Sequence, residues 1–164
     1  VSRAPCVPGV GVVVCSHFGP LRNRQPGEIR ARCTQMHGQI ALDGMPIRPD
    51  HVYVCPPDTD LLIENDAFKV VSPRANRNEQ VDVFFASLAE AMGPRAVGII
   101  MSGYDGDGTE GCKELKARGG TTFAQDMSAE VDGMPSSARA SGCIDFVLPP
   151  DKMPAALARL LAWA

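Results

Sequence analysis

The chain has 164 residues, a length that fits one domain over residues 1–164 with a core of its own. Hydrophobic residues make up 45% and charged residues 21%, the mixture of a folded water-soluble domain. The formal charge of -3, with scattered Lys and Arg, offers no basic field for nucleic acid, and the apolar runs fall far short of the ~20 residues that cross a bilayer.

Residues 9–15 are β-branched and bounded by glycine and proline, which predicts a buried strand with His17 just past its C-terminal edge. A short helical pattern over 28–36 follows, then the turn-rich Leu42-Asp43-Gly44-Met45-Pro46. His51 to Cys55 reads as a second strand, stopped by Pro56-Pro57. Leu61-Leu62-Ile63 and Phe68-Lys69-Val70-Val71 flank Asn65-Asp66, the pattern of a hairpin. After a polar loop over 72–78, Val81, Phe84, Phe85, Leu88 and Met92 recur at helical spacing up to Gly93-Pro94.

A continuous apolar strand over 96–101 leads into a glycine-rich loop over 102–108 and a helix to Arg118, closed by Gly119-Gly120. Then come a strand over 121–124, a helix over 135–140, a strand over 143–148 and a last helix over 151–163. Strands alternating with helices predict an α/β fold: a doubly wound, mostly parallel sheet with helices on both faces, plus the hairpin. In such sheets chemistry gathers beyond the strand C-termini. His17, the 102–108 loop and the 125–135 segment all fall there.

Six cysteines, at 6, 15, 33, 55, 112 and 143, show no C-x-x-C spacing, so neither a metal site nor a cofactor is expected and a reduced, cytoplasmic setting fits. Of three histidines, His17 follows a strand directly, whereas His37 lies in a helix-to-strand connection and His51 opens a strand. His17 is the candidate base, and Asp105 and Asp107 are the candidate carboxylate partners. Asp105 and Asp107 also spell D-x-D-x-T, the start of a magnesium-dependent phosphatase of the haloacid-dehalogenase type. As a D-x-D-G calcium loop the segment fails, because Glu110 comes too soon.

Several longer segments resemble one family. Asp43-Gly44-Met45-Pro46-Ile47-Arg48-Pro49-Asp50-His51-Val52-Tyr53-Val54-Cys55-Pro56-Pro57 resembles the D-G-x-x-x-x-P-x-x-V-Y-V-A-P-P segment of CheB-type chemotaxis methylesterases. Val81-Asp82-Val83-Phe84-Phe85 is similar to their S-V-D-x-x-F helix start. The run from Ser102 to Gly111 resembles T-G-M-G-x-D-G-A-x-G, and Ala124-Gln125-Asp126 and Gly133-Met134-Pro135 complete the series in order. The wording is nearest to esterase domains of methylesterase-methyltransferase hybrids.

The resemblance implies a serine hydrolase that removes methyl groups from glutamate methyl esters on cytoplasmic chemoreceptor helices and releases methanol. It implies His17 as catalytic histidine and Asp107 as its orienting aspartate. Tyr104 stands for the methionine whose backbone N–H helps bind the oxyanion, and Met134 falls in a substrate-binding segment. Asp105 replaces a glycine. A receiver or methyltransferase domain in the parent protein is a further implication, with no nucleic acid and no membrane insertion.

The family's nucleophilic serine belongs to a G-A-S-x-G-G loop in a unit ahead of the histidine, and only 16 residues precede His17 here, without that loop. A βαβ unit takes roughly 30 residues or more. Ser16 points to the opposite face from His17, and Cys15, which shares its face, lies in an apolar run that favours packing. The sequence therefore reads as an N-terminally truncated domain lacking its first βα unit, nearly inactive alone. The alternative from another class is a catalytically silent module that binds receptor or partner surfaces.

Overall fold

The structure is a computed structural model that describes residues 9–15 and 37–162. His17, Ser16 and the helix expected over 28–36 lie outside the described residues.

Strands β1 (Val12–Val14), β2 (His37–Ile40) and β3 (His51–Val54) form a parallel ladder in the order β1-β3-β2. Val14 and Ile40 both stand opposite Val54, so the three C-terminal ends are level. The hairpin pairs β4 (Asp60–Glu64) with β5 (Ala67–Val71), Glu64 facing Ala67. Its two-residue turn, Asn65 and Asp66, has φ of 53° and 60°, the left-handed values that such a connection needs.

Helix α1 (Gln80–Met92) packs on β4, where the Ser87 hydroxyl accepts from the Ile63 amide at 2.6 Å. Beyond it β6 (Val97–Ile100), α2 (Thr109–Ala117), β7 (Thr121–Gln125), α3 (Gly133–Ala140) and β8 (Phe146–Leu148) alternate. The parallel order is β6-β7-β8, with β7 in the middle. The chain then passes through a 3₁₀ turn, Pro150–Lys152, into α4 (Met153–Ala162).

One buried cluster runs through these parts. Tyr53 from β3, Leu61 and Phe68 from the hairpin, Val81, Phe84 and Phe85 from α1, Ile100 from β6 and Leu115 from α2 all belong to it. Tyr53 meets Phe68 edge-on, with ring centroids 4.8 Å apart, and its hydroxyl accepts from the Arg48 amide at 2.8 Å. This arrangement fills the interior without stranding the phenol oxygen.

The α/β class and the alternation after residue 80 are as expected. Some boundaries differ. His37 opens a strand rather than lying in a connection, because the 37–40 backbone completes a ladder with β3; its His-Gly-Gln-Ile sequence carries no strand periodicity. The strand expected over 143–148 begins only at Phe146, since the Asp145 carboxylate turns back to accept from the Thr122 amide at 2.9 Å. The first strand is confined to Val12–Val14, after a turn in which Gly9 has φ of 84°.

Leu115 is fully buried between α1 and β6, so Leu115→Ala is expected to cost about 2 to 5 kcal/mol in urea unfolding. Glu90→Ala, on the exposed side of α1, is expected to change stability by under about 0.5 kcal/mol.

Candidate active site

The loop leaving the C-terminal end of β6 contains the most buried acid of the candidate set. Asp107 is only 3% exposed, and its carboxylate faces the first turn of α1. Its Oδ2 accepts from the Val81 amide at 3.0 Å and its Oδ1 from the Asp82 amide at 2.9 Å. Glu79, the N-cap residue of α1, makes no side-chain cap, so Asp107 satisfies amides that a helix start leaves open.

The reverse contact also exists. Asp82 Oδ1 accepts from the Gly108 amide at 2.9 Å and the Gly111 amide at 2.8 Å, capping α2, whose N-cap residue is the side-chain-less Gly108. Asp105 adds a local brace, because its Oδ1 accepts from the Asp107 amide at 2.8 Å while its own backbone stands at φ of 61°.

The other flank of the loop is tied to the segment after β7. Ser102 donates its amide to Gln125 Oε1 at 3.0 Å, and its hydroxyl accepts from the Val131 amide at 3.0 Å. The Gly103 amide donates to the Val131 carbonyl at 2.9 Å, and the Met134 amide donates to the Gly103 carbonyl at 2.9 Å. Arg139 holds Asp132 with two bonds, of 3.0 and 2.7 Å, and donates to the Gln125 carbonyl at 2.8 Å. The Arg139 guanidinium accordingly pulls the Asp132 carboxyl below its ordinary range. Met134 lies so close to Gly103 that a Cβ there would meet its sulfur unless that flexible side chain moved.

Asp107, Tyr104 and Met134 are thus brought to one loop cluster beyond β6. Tyr104 stands at its crest, 64% exposed, and Asp105 is exposed beside it. His17 lies outside the described residues. His51 opens β3, at the opposite end from the strand's C-terminal edge, with Nδ1 on the Pro49 carbonyl at 2.8 Å.

Cys15 packs against the core, as its apolar run suggests. A hydrogen bond with Cys55, then burial, pushes its thiol well above the ordinary range, whereas Cys55 is lowered by the same contact. That makes Cys15 a poor thiolate source. Cys112 is pushed up to about 12 by burial.

Asp82 escaped the sequence reading as a member of this cluster. It stood in the Val81-Asp82-Val83-Phe84-Phe85 motif, but an acid in the first turn of a helix does not reveal its partners, and only the fold brings it to residues 108–111. Burial raises its carboxyl, the Gly111 amide opposes that push, and the nearby Asp107 charge adds to it. A carboxyl with a folded pKa above its unfolded one stabilises fully below the unfolded value, and that contribution is lost as pH rises through the folded value. Asp82→Asn is therefore expected to gain stability relative to the parent chain as pH rises from acid to neutral. Urea midpoints across that range check this, and a gap that stays constant contradicts it.

Comparison with known proteins agrees with the motif series. A family profile described as CheB methylesterase matches residues 1–157. A protein-glutamate methylesterase/protein-glutamine glutaminase from Anaeromyxobacter dehalogenans is 35% identical over 158 residues, covering 92% of this chain and 44% of that protein. A putative protein of the same description from Leptospira interrogans is 30% identical over 156 residues, covering 93% of this chain and 81% of its own length. The crystal structure of the Thermotoga maritima CheB methylesterase catalytic domain superposes with a TM-score of 0.80 at 28% identity, covering 96% of this chain and 85% of that one. The chain spans less than half the length of several curated relatives that it matches, at 44%, 37% and 36% of those proteins.

Proposed function

We propose, since the chain belongs to the CheB methylesterase family, that residues 1–164 belong to a single methylesterase domain of a protein-glutamate methylesterase acting on methylated chemoreceptors. The observation that carries this reading is the buried Asp107 carboxylate, held on the Val81 and Asp82 amides at the loop beyond β6. A carboxylate so fixed suits the task of holding an imidazole in one tautomer and stabilising its charged form. His17 is that imidazole.

In this account a serine oxygen attacks the ester carbonyl of a glutamate methyl ester while His17 takes its proton. The tetrahedral oxyanion gathers at backbone donors that include the Tyr104 N–H, and His17 returns the proton to the departing methanol. Water then cleaves the acyl-enzyme by the same steps. Met134 shapes the substrate side of the loop through its contact with Gly103. The relatives' names pair this ester with the carboxamide of glutamine, which presents the same acyl carbon with ammonia as leaving group.

Residues 1–164 contain no G-A-S-x-G-G loop, so this reading takes the attacking serine from outside them and expects residues 1–164 alone to release no methanol. A receiver or methyltransferase domain in the parent protein and a cytoplasmic setting complete the proposal. No described helix is long and apolar enough to cross a membrane. The retained cleft would otherwise serve as a silent receptor-binding module, and one experiment separates the two. A version carrying a G-A-S-x-G-G unit ahead of residue 1 is expected to release methanol from methylated receptor. His17→Ala and Asp107→Asn are expected to lower kcat by about three or more orders of magnitude. Full activity in His17→Ala contradicts the triad, and receptor binding without methanol release supports the silent module.

A further inference from the structure

We propose that Asp82 is a positioning residue for Asp107: by exchanging carboxylates between the first turns of α1 and α2, it holds the loop that presents Asp107 to the reaction. The inference rests on the catalytic reading of Asp107 and adds a second acid to it.

The contacts close into a ring. The Asp107 carboxylate receives the Asp82 amide, and the Asp82 carboxylate receives the amide of Gly108, the next residue after Asp107. Residue 82 therefore grips residue 107 through its side chain and through the adjacent backbone at once. A shift of either acid stretches bonds on both sides. A second tie, from Gly111 to the same Asp82 oxygen at 2.8 Å, fixes the approach of α2. That approach needs glycine, because a Cβ at position 111 would stand 2.6 Å from Phe85 Cβ and 3.2 Å from Asp82 Cα.

Neither helix has a side-chain cap from its own N-cap residue, so the exchange is what satisfies these amides. The Val81 and Asp82 amides, one on each oxygen, set the direction in which the Asp107 carboxylate faces.

The test uses Asp82→Ala, which removes the acceptor for Gly108 and Gly111, and Asp82→Asn, which keeps one. In the version carrying the G-A-S-x-G-G unit, Asp82→Ala is expected to lower kcat about a hundredfold with KM held within about twofold, and Asp82→Asn to recover to within about tenfold of the parent. In the chain itself, the amide resonances of Val81 and residue 82 report the Asp107 carboxylate. They are expected to move in Asp82→Ala and to stay near their parent positions in Asp82→Asn, with melting curves confirming folded protein.

A folded Asp82→Ala with parent kcat and an unmoved Val81 resonance overturns the proposal. If no version shows esterase activity, the catalytic reading has failed, and the Val81 resonance alone decides whether Asp82 positions Asp107. If Asp82→Ala does not fold, the Asn variant decides: near-parent kcat and resonances support the role, and a hundredfold loss or a displaced Val81 resonance overturns it.

Discussion

Two helices that begin without caps of their own are satisfied by acids borrowed from each other. Asp107 closes the start of α1, Asp82 closes the start of α2, and much of the site's geometry follows from that exchange. Open amides at a buried helix end are costly, so the loop after β6 has little freedom to sit elsewhere. The core stands directly behind it. Val81, Phe84 and Phe85 from α1 join Ile100 of β6 and Cys112 and Leu115 of α2 in one buried cluster. Polar ties in front and apolar packing behind therefore fix the same pair of helices.

The far flank of the loop is held by different chemistry. Ser102 and Gly103 share hydrogen bonds with Gln125 and Val131, the Met134 amide donates to the Gly103 carbonyl, and Arg139 pins Asp132 and the end of β7. Between the two braces, Tyr104 stands at the crest, exposed to solvent. Asp105, like Tyr104, differs from the motif that this segment resembles. Its carboxylate is drawn into the turn, where it accepts from the Asp107 amide.

Much of this was legible beforehand, and the failures have physical causes. The βα alternation after residue 80 could be read because β6 lies in a continuous apolar run over 96–101 and α1 has a regular apolar face. The hairpin was legible from Asn65-Asp66, whose backbone takes the positive φ that these residues tolerate. β2 was not, since His37–Ile40 has no alternation and owes its strand form to pairing with β3. Asp107 was found through its place in a glycine-rich loop after a strand and through the motif series. Asp82 lies in the same series, but its partners could not be read from it, because they lie 26 and 29 residues away and only the packing of α1 on α2 brings them together.

The proposed catalysis depends on a serine triad completed by His17 and Asp107. Labelling with a serine-directed fluorophosphonate tests it most directly, using the version that carries a G-A-S-x-G-G unit ahead of residue 1 and reading intact mass. The account predicts a single adduct on that serine, abolished in His17→Ala and slowed in Asp107→Asn. No adduct in the parent, or undiminished labelling in His17→Ala, contradicts it.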